Sequence, residues 1–476
     1  MASSPHIILF VSDQHRADCI AAAGDPHVRT PHLDALFQNG TAFSAAYCNS
    51  PVCGPSRMSL LTGQLPSSNG VLTNRQALAS HIPTLAHSLS AAGYDTVLCG
   101  RMHFIGPDQS HGFTERLVGD IGPVTPGFHE TPTGPFAHTT GQHRHTLQVS
   151  GPGVCPSTLY DDEVLRQACD RLARQPPDKP LLLVVGTYGP HNPYTCRTDL
   201  YEHYRQHLPS SEAEEIEAIW SAAHPLLTHW RDVRGMTELT AKELHRSRAA
   251  YYGMVEELDE RIGLLHGALK QRPDAENSIF AYLSDHGDMA GEYGMFWKSC
   301  FLEGAVRVPL VFTGGEIQSG KQVRTPVSLL DLAPTLCDLA GAPPLPHAEG
   351  LSLKPVLTRK DASPPDDRTI VSMLVDPKSG PQIMVRRGNL KQVLAPQFPP
   401  AHCTRLPASN ELRNDPEAQN PPDLLATAGI SEAVWTLLEN AHQQAPALNA
   451  FFAKVPAPGH RTQDQWTPGL SQLKTP

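Results

Sequence analysis

The chain has 476 residues, a net charge of −10 and no block of Lys or Arg, which argues against a nucleic-acid backbone or an anionic membrane surface as its partner. That length exceeds one ordinary domain and predicts a large α/β body with a smaller appendage. The ten cysteines (positions 19, 48, 53, 99, 155, 169, 196, 300, 337 and 403) include no C-x-x-C pair and are too sparse for a secreted disulfide scaffold, so a reduced cytoplasm is the expected setting. No internal repeat or low-complexity tract interrupts the sequence.

The first apolar run, Ile7 to Ser12, is too short for a signal peptide or a membrane span and runs directly into Asp13-Gln14. Three later runs have the same form. Asp95 to Gly100 leads into Arg101-Met102-His103, Leu181 to Gly186 leads towards His191, and Ser278 to Ser284 leads into Asp285-His286. Continuous apolar runs, as opposed to alternating ones, describe strands covered on both faces, hence a mainly parallel or mixed sheet between layers of helices. Ligands of open α/β sheets bind beyond the carboxyl ends of the strands, so the four polar groups should meet on one rim.

Helices are expected from Pro55 to Gly63, from Pro83 to Ala92, from Ser247 to Gln271 and from Leu329 to Ala340. The third carries Tyr251, Met254, Val255, Leu258, Ile262 and Leu265 at spacings of three and four, the pattern of a helix that packs on the sheet. Forty-five prolines and thirty-six glycines imply long connections that build the site. After Gly350 the texture becomes Pro-rich. Gln382 to Leu394 reads as strand, Arg-Gly-Asn turn and strand, and Ser431 to Gln444 as a helix, so residues 1–365 are assigned to the main domain and 366–476 to a small α+β subdomain with a tail.

Between the first two strands lies Asn49-Ser50-Pro51-Val52-Cys53-Gly54-Pro55-Ser56-Arg57. Cys53 read as plain structure is a buried thiol ahead of an N1 proline. Read as chemistry, it is a nucleophile at a helix N-terminus, where an anion is favoured. Similarly, Asp13 could cap a helix, Gln14 could be solvated, and Asp285-His286-Gly287-Asp288 could be a turn.

The Cys53 segment resembles the C-x-P-S-R signature of the type I sulfatases, in the alkaline phosphatase-like superfamily. The resemblance runs from Ile7 to about Asn420 and is most similar to choline sulfatases in Gly100 to Arg116, Leu159 to Val164 and Pro190 to Tyr194. It implies an alkaline phosphatase-like α/β fold and a sulfatase acting on a small alkyl or aryl sulfate monoester, with choline O-sulfate a candidate. It also implies a formylglycine made from Cys53 by a formylglycine-generating enzyme. A geminal diol there can accept sulfate on one oxygen and eject it when the other loses its proton, regenerating the aldehyde.

By the same resemblance Asp13, Gln14, Cys53, Asp285 and His286 hold one divalent metal, Ca²⁺ or Mn²⁺ with Mg²⁺ possible. Arg57 belongs to the signature. Arg101 and His103 match a G-K-x-H element with Arg in place of Lys, and orient and deprotonate the nucleophile. His191, from a P-H-x-P element, and Lys298 contact the sulfate, and Asn74 lies on the substrate side. Glu303 and Arg307 read as a structural pair four apart on a helix. For an ammonium-bearing substrate, Trp297 and Tyr194 are the aromatic residues nearest the motifs. A dimer or tetramer is the expected assembly. A phosphonate monoester or phosphodiester hydrolase shares the nucleophile and metal set, and is the competing reading.

Overall fold

The structure, a computed structural model, describes residues 4–121, 141–209, 224–398, 402–405 and 431–454. Its centre is an eight-stranded mixed sheet. The four runs singled out above are adjacent in it, in the order Ile279–Ser284, Ile7–Asp13, Leu181–Pro190, Asp95–Gly100, and all three pairings are parallel. Glu115–Arg116 extends one edge in parallel, while Leu310–Gly314 and Thr41–Phe43 pair antiparallel on the other side, with Lys321–Val323 beyond them.

Successive side chains of these strands point to opposite faces, and both faces are dry. Ile7, Leu9, Val11, Leu182, Val184, Ala281 and Leu283 meet helices Cys53–Thr62, Leu85–Ala91 and Leu332–Ala340 on one side. On the other, Ile8, Phe10, Leu181, Leu183, Val185, Phe280 and Tyr282 meet helices Pro31–Asn39, Pro156–Ala173 and Ala241–Lys270. Removal of each large aliphatic or aromatic side chain from water contributes about 1.5–3 kcal/mol, which explains why the runs are apolar without alternation.

Several expected boundaries move. The long helix begins at Ala241, six residues earlier than expected, because Thr240 and Glu243 form a reciprocal capping box. The helix expected from Pro55 begins at Cys53, so the proline lies inside the first turn, where its missing N–H costs no hydrogen bond. Gly63 closes it at φ 69°, a left-handed position that favours glycine. The Leu329 segment starts as a 3₁₀ turn and becomes α-helical at Leu332. Glu303 and Arg307 pair at 3.4 Å, but Arg307 already belongs to a strand, and Glu303 also binds Tyr47 and Lys391.

A second, four-stranded antiparallel sheet runs Thr369–Asp376, Gly380–Arg387, Leu390–Leu394, His402–Arg405, with its first strand absent from the sequence reading. One face joins the main core through Ile370, Leu374, Met384 and Val393. The other, through Met373, Val375, Ile383 and Val385, packs on Leu438 and Ala441 of helix Glu432–Lys454. The end of the family resemblance, near Asn420, falls outside the described residues. Among the described residues no helix is long and apolar enough to cross a membrane.

The layered core also buries neutral imidazoles. His15 sits between Tyr282 Oη (2.5 Å) and the Cys19 carbonyl (3.0 Å), and burial pushes its pKa down to about 4. Burial and Arg101 take His103 to about 3. The unfolded chain binds protons at these sites below about pH 6.5, whereas the folded chain does so only near 3–4, so their contribution to stability is complete above pH 6.5 and is lost as pH falls towards 4. Urea midpoints measured from pH 7 to 4.5 should therefore decline, and His15→Gln should flatten that decline; an equal slope in the variant would refute the assignment.

Candidate active site

The carboxyl ends of the four parallel strands deliver Asp13, Arg101, His191 and Asp285 to one rim, as their positions in the sequence require. Helix Cys53–Thr62 abuts this rim with its N-terminus, and Cys53 is its first residue. Arg57 lies one turn further on, hence on the same face. Its guanidinium is fully buried and spans three strand ends. Nε donates to Asp285 Oδ2 (2.7 Å), Nη2 to Asp13 Oδ2 (3.2 Å) and Nη1 to the Arg101 carbonyl (2.8 Å). Ser56 Oγ adds a bond to the Asp285 carbonyl at 2.5 Å.

Asp13, Cys53, Asp285 and His286 place one ligand atom each within 4.8 Å of one another, all buried. His286 Nδ1 donates to the Gly287 carbonyl (3.0 Å), leaving the Nε2 lone pair directed at Cys53 Sγ (3.2 Å), Asp13 Oδ1 (3.5 Å) and Asp285 Oδ1 (3.5 Å). Burial lowers the His286 pKa, so no proton on Nε2 separates it from the two carboxylates. Lone pairs of two carboxylates and an imidazole facing one another without hydrogen between them fit a divalent cation.

Gln14 stands beside this cluster in a left-handed conformation, φ 74°. Its Oε1 accepts from Lys298 Nζ (2.6 Å), and its Nε2 donates to Asp288 Oδ2 (2.6 Å). Lys298 Nζ is also 3.2 Å from Cys53 Sγ and 3.8 Å from Asp13 Oδ1. Arg101 Nε donates to Asp13 Oδ2 at 2.5 Å. Burial alone would raise the Asp13 pKa, but Arg101, Lys298, His191 and Arg57 together hold it well below the usual carboxylate range. The Cys53 thiol is lowered as well. Burial and Asp13 push it up, and Lys298 with the hydrogen bond shared with His191 outweighs them. The Asp13 and Asp285 carboxyl groups therefore lie against three basic side chains, Arg57, Arg101 and Lys298, a set that suits an anionic ligand.

His191 Nδ1 donates to the Asn192 carbonyl at 2.6 Å, which leaves Nε2 for residue 53. Burial keeps this ring neutral by lowering its pKa. His103 is placed differently from the sequence expectation. Its Nδ1 accepts from Arg101 Nη2 (3.1 Å) and its Nε2 donates to the Asn74 carbonyl (3.3 Å), so it is bonded to Arg101 on one side and to the Asn74 segment on the other. Asn74 Oδ1 accepts the Gly54 N–H at 2.7 Å, holding the first turn of the Cys53 helix. Trp297 and Tyr194 are fully buried, with Tyr194 Oη bonded to Asp288, so neither presents a ring face to a substrate.

Three supporting residues were passed over in the sequence. Asp288 accepts from Gln14, Tyr194 Oη and the N–H groups of Ala290 and Trp297. Tyr188 lies 4.7 Å beneath the Arg101 guanidinium and 4.8 Å from the His191 ring. Asp120 accepts the N–H groups of Met102 and His103. The signal for Asp288 was present as an acid three residues after Asp285; Tyr188 and Asp120 gave none.

Because Arg57 compensates two buried carboxylates, Arg57→Met should lose about 3–5 kcal/mol of stability, read as a shift in the urea midpoint of the full-length protein. A change below 1 kcal/mol would show that Arg101 and Lys298 suffice. Gln14→Leu removes the acceptor of Lys298 and the donor to Asp288, and should cost about 1–3 kcal/mol by leaving buried groups unpaired.

The Sulfatase family pattern matches residues 5–342. The choline-sulfatase of Rhizobium meliloti (strain 1021) is 34% identical over 404 residues, covering 82% of this chain and 78% of its own. An arylsulfatase of Clostridium perfringens is 29% identical over 386 residues, covering 75% and 79%. Among solved structures, the phosphonate monoester hydrolase of Agrobacterium radiobacter superposes with a TM-score of 0.70 at 22% identity over 94% of this chain and 96% of its own, a likeness of fold. With that pattern over most of its length and those relatives, the chain belongs to the sulfatase family and is a sulfuric ester hydrolase.

Proposed function

We propose that the protein hydrolyses a small alkyl or aryl sulfate monoester by means of a formylglycine derived from Cys53 and one divalent metal. The observation that carries this is the position of Cys53 Sγ, 3.2 Å from both His286 Nε2 and Lys298 Nζ and 3.5 Å from Asp13 Oδ1, inside the ligand cluster itself. A side chain there is both ligand and nucleophile. Maturation by a formylglycine-generating enzyme would place hydrate oxygens where Sγ stands, supplying an oxygen nucleophile and a leaving group for turnover. A cation held by Asp13, Asp285, His286 and residue 53, with Gln14 alongside, would withdraw charge from the sulfate; Ca²⁺ or Mn²⁺, then Mg²⁺, suits this donor set.

The remaining work falls to this chain's own groups. Lys298 and Arg101 meet the negative charge of the sulfate oxygens in a site dry enough for each cation to count. His191, neutral with its Nε2 turned to residue 53, receives a proton there and returns it to the departing alkoxide. His103 and Tyr188 keep the Arg101 fork in place. Asn74, whose Oδ1 holds the Gly54 N–H at the helix N-terminus, is the substrate-side asparagine in this reading.

Choline O-sulfate is a candidate substrate because a relative of that name matches over four-fifths of the chain. Phosphonate monoesters form the second reading, favoured by a fold likeness and by a site whose surplus charge suits any tetrahedral anion. The same proposal includes a chain divided near residue 365, a cytoplasmic location and a dimer or tetramer.

Full-length protein co-expressed with a maturation enzyme should show higher kcat/KM on 4-nitrophenyl sulfate than on a phenylphosphonate ester, and Cys53→Ala should lower both by at least about a thousandfold. A phosphonate preference would select the second reading, and full activity in Cys53→Ala would reject both. Asp285→Asn and His286→Ala should each reduce divalent metal retained after dialysis, measured by elemental analysis, at least about tenfold.

A further inference from the structure

Lys298 sits between two residues in the left-handed region, Trp297 at φ 64° and Ser299 at φ 59°. Neither is glycine, and such conformations cost about 1–3 kcal/mol each unless the surroundings impose them. Four hydrogen bonds do so. Asp288 Oδ1 accepts the Trp297 N–H (2.9 Å), Trp230 Nε1 donates to the Lys298 carbonyl (3.2 Å), the Ser299 N–H donates to the Pro51 carbonyl (3.3 Å), and Gln142 Nε2 donates to Ser299 Oγ (2.9 Å). Two of the four donors, Trp230 and Gln142, come from outside the rim of strand ends.

Both are held by one cation. The Arg234 guanidinium lies 4.5 Å over the Trp230 ring, and its Nε donates to Gln142 Oε1 (3.4 Å). Its Nη2 is 3.1 Å from both carboxylate oxygens of Asp376, the last residue of the first strand in the C-terminal sheet. The Arg234 and Asp376 side chains are 2% and 5% exposed, so water does not loosen the pair. The same strand also binds the segment leading to Cys53, where the Met373 N–H donates to the Asn49 carbonyl (2.9 Å) and Asn49 Nδ2 donates to the Val371 carbonyl (2.9 Å).

We infer that Arg234, anchored by Asp376, is a positioning residue for Lys298, and that the C-terminal sheet thereby sets the aim of an active-site cation it does not touch. The inference rests on the proposed role of Lys298 at the transferred group. Arg234 fixes Trp230 and Gln142, which fix the strained peptides on both sides of Lys298, and the Lys298 ammonium then stays between Gln14 Oε1 and residue 53. Released, the Trp297–Ser299 backbone relaxes and the ammonium shifts, and misplacement of a catalytic group by about 1 Å costs on the order of a hundredfold.

A double-mutant cycle tests this in matured full-length protein with 4-nitrophenyl sulfate. Arg234→Met, which keeps the stem over Trp230, should lower kcat by about ten- to a hundredfold with KM changed by less than about threefold. In a Lys298→Ala background the same substitution should change kcat by less than about twofold. Asp376→Asn, of equal size, should show the same dependence on Lys298 and serves if Arg234→Met does not fold. Equal losses in the two backgrounds, or no loss with Lys298 present, would overturn the inference. Full activity of Lys298→Ala alone would instead reject the role given to Lys298, a separate failure.

Discussion

The buried Arg57 guanidinium is the contact on which the rest of the site depends. From the helix that carries Cys53 it touches the ends of three strands at once. Two carboxyl groups gathered in a dry interior need compensating charge, and a cation of fixed shape that binds both makes the gathering possible. Its five donors in one plane reach Asp13, Asp285 and a main-chain carbonyl together. The helix N-terminus adds its own partial positive charge beside residue 53.

Around that fixed centre the site is built from strained loops. Gln14, His103, Trp297 and Ser299 all have positive φ without being glycine. Each stands within two residues of a side chain that meets the cluster, and each is held by hydrogen bonds from elsewhere in the chain. A side chain aimed by strain and several anchors is less free to turn than one on an open loop, which suits a site where a charge must meet a particular oxygen. The cost is borne by the layered core, whose sheet is covered on both faces.

Charge gives the site its direction. Arg57, Arg101 and Lys298 outnumber Asp13 and Asp285, although the whole chain is acidic. A local surplus of positive charge inside a negatively charged molecule draws small anions into one cleft and gives polyanions no broad surface to bind. The substitution of Arg for the usual Lys at position 101 fits this arrangement, since its fork serves Asp13, His103 and the Tyr188 ring simultaneously.

The sequence by itself determined the sheet and which polar residues share its rim. Four uniformly apolar runs ending in polar residues could be stable only as adjacent buried strands, so Asp13, Arg101, His191 and Asp285 had to share a rim, and Cys53 with Arg57 one turn later had to lie on one helical face. Helix ends were less legible, because caps such as Thr240 with Glu243 depend on side-chain bonds that periodicity does not reveal. Only the tertiary structure decided that His103 is bonded to Arg101 and the Asn74 carbonyl, that Trp297 and Tyr194 are core residues, and that Asp288, Tyr188, Asp120 and Arg234 stand behind the site. Those outcomes depend on contacts between segments tens to hundreds of residues apart, for which a local pattern carries no signal.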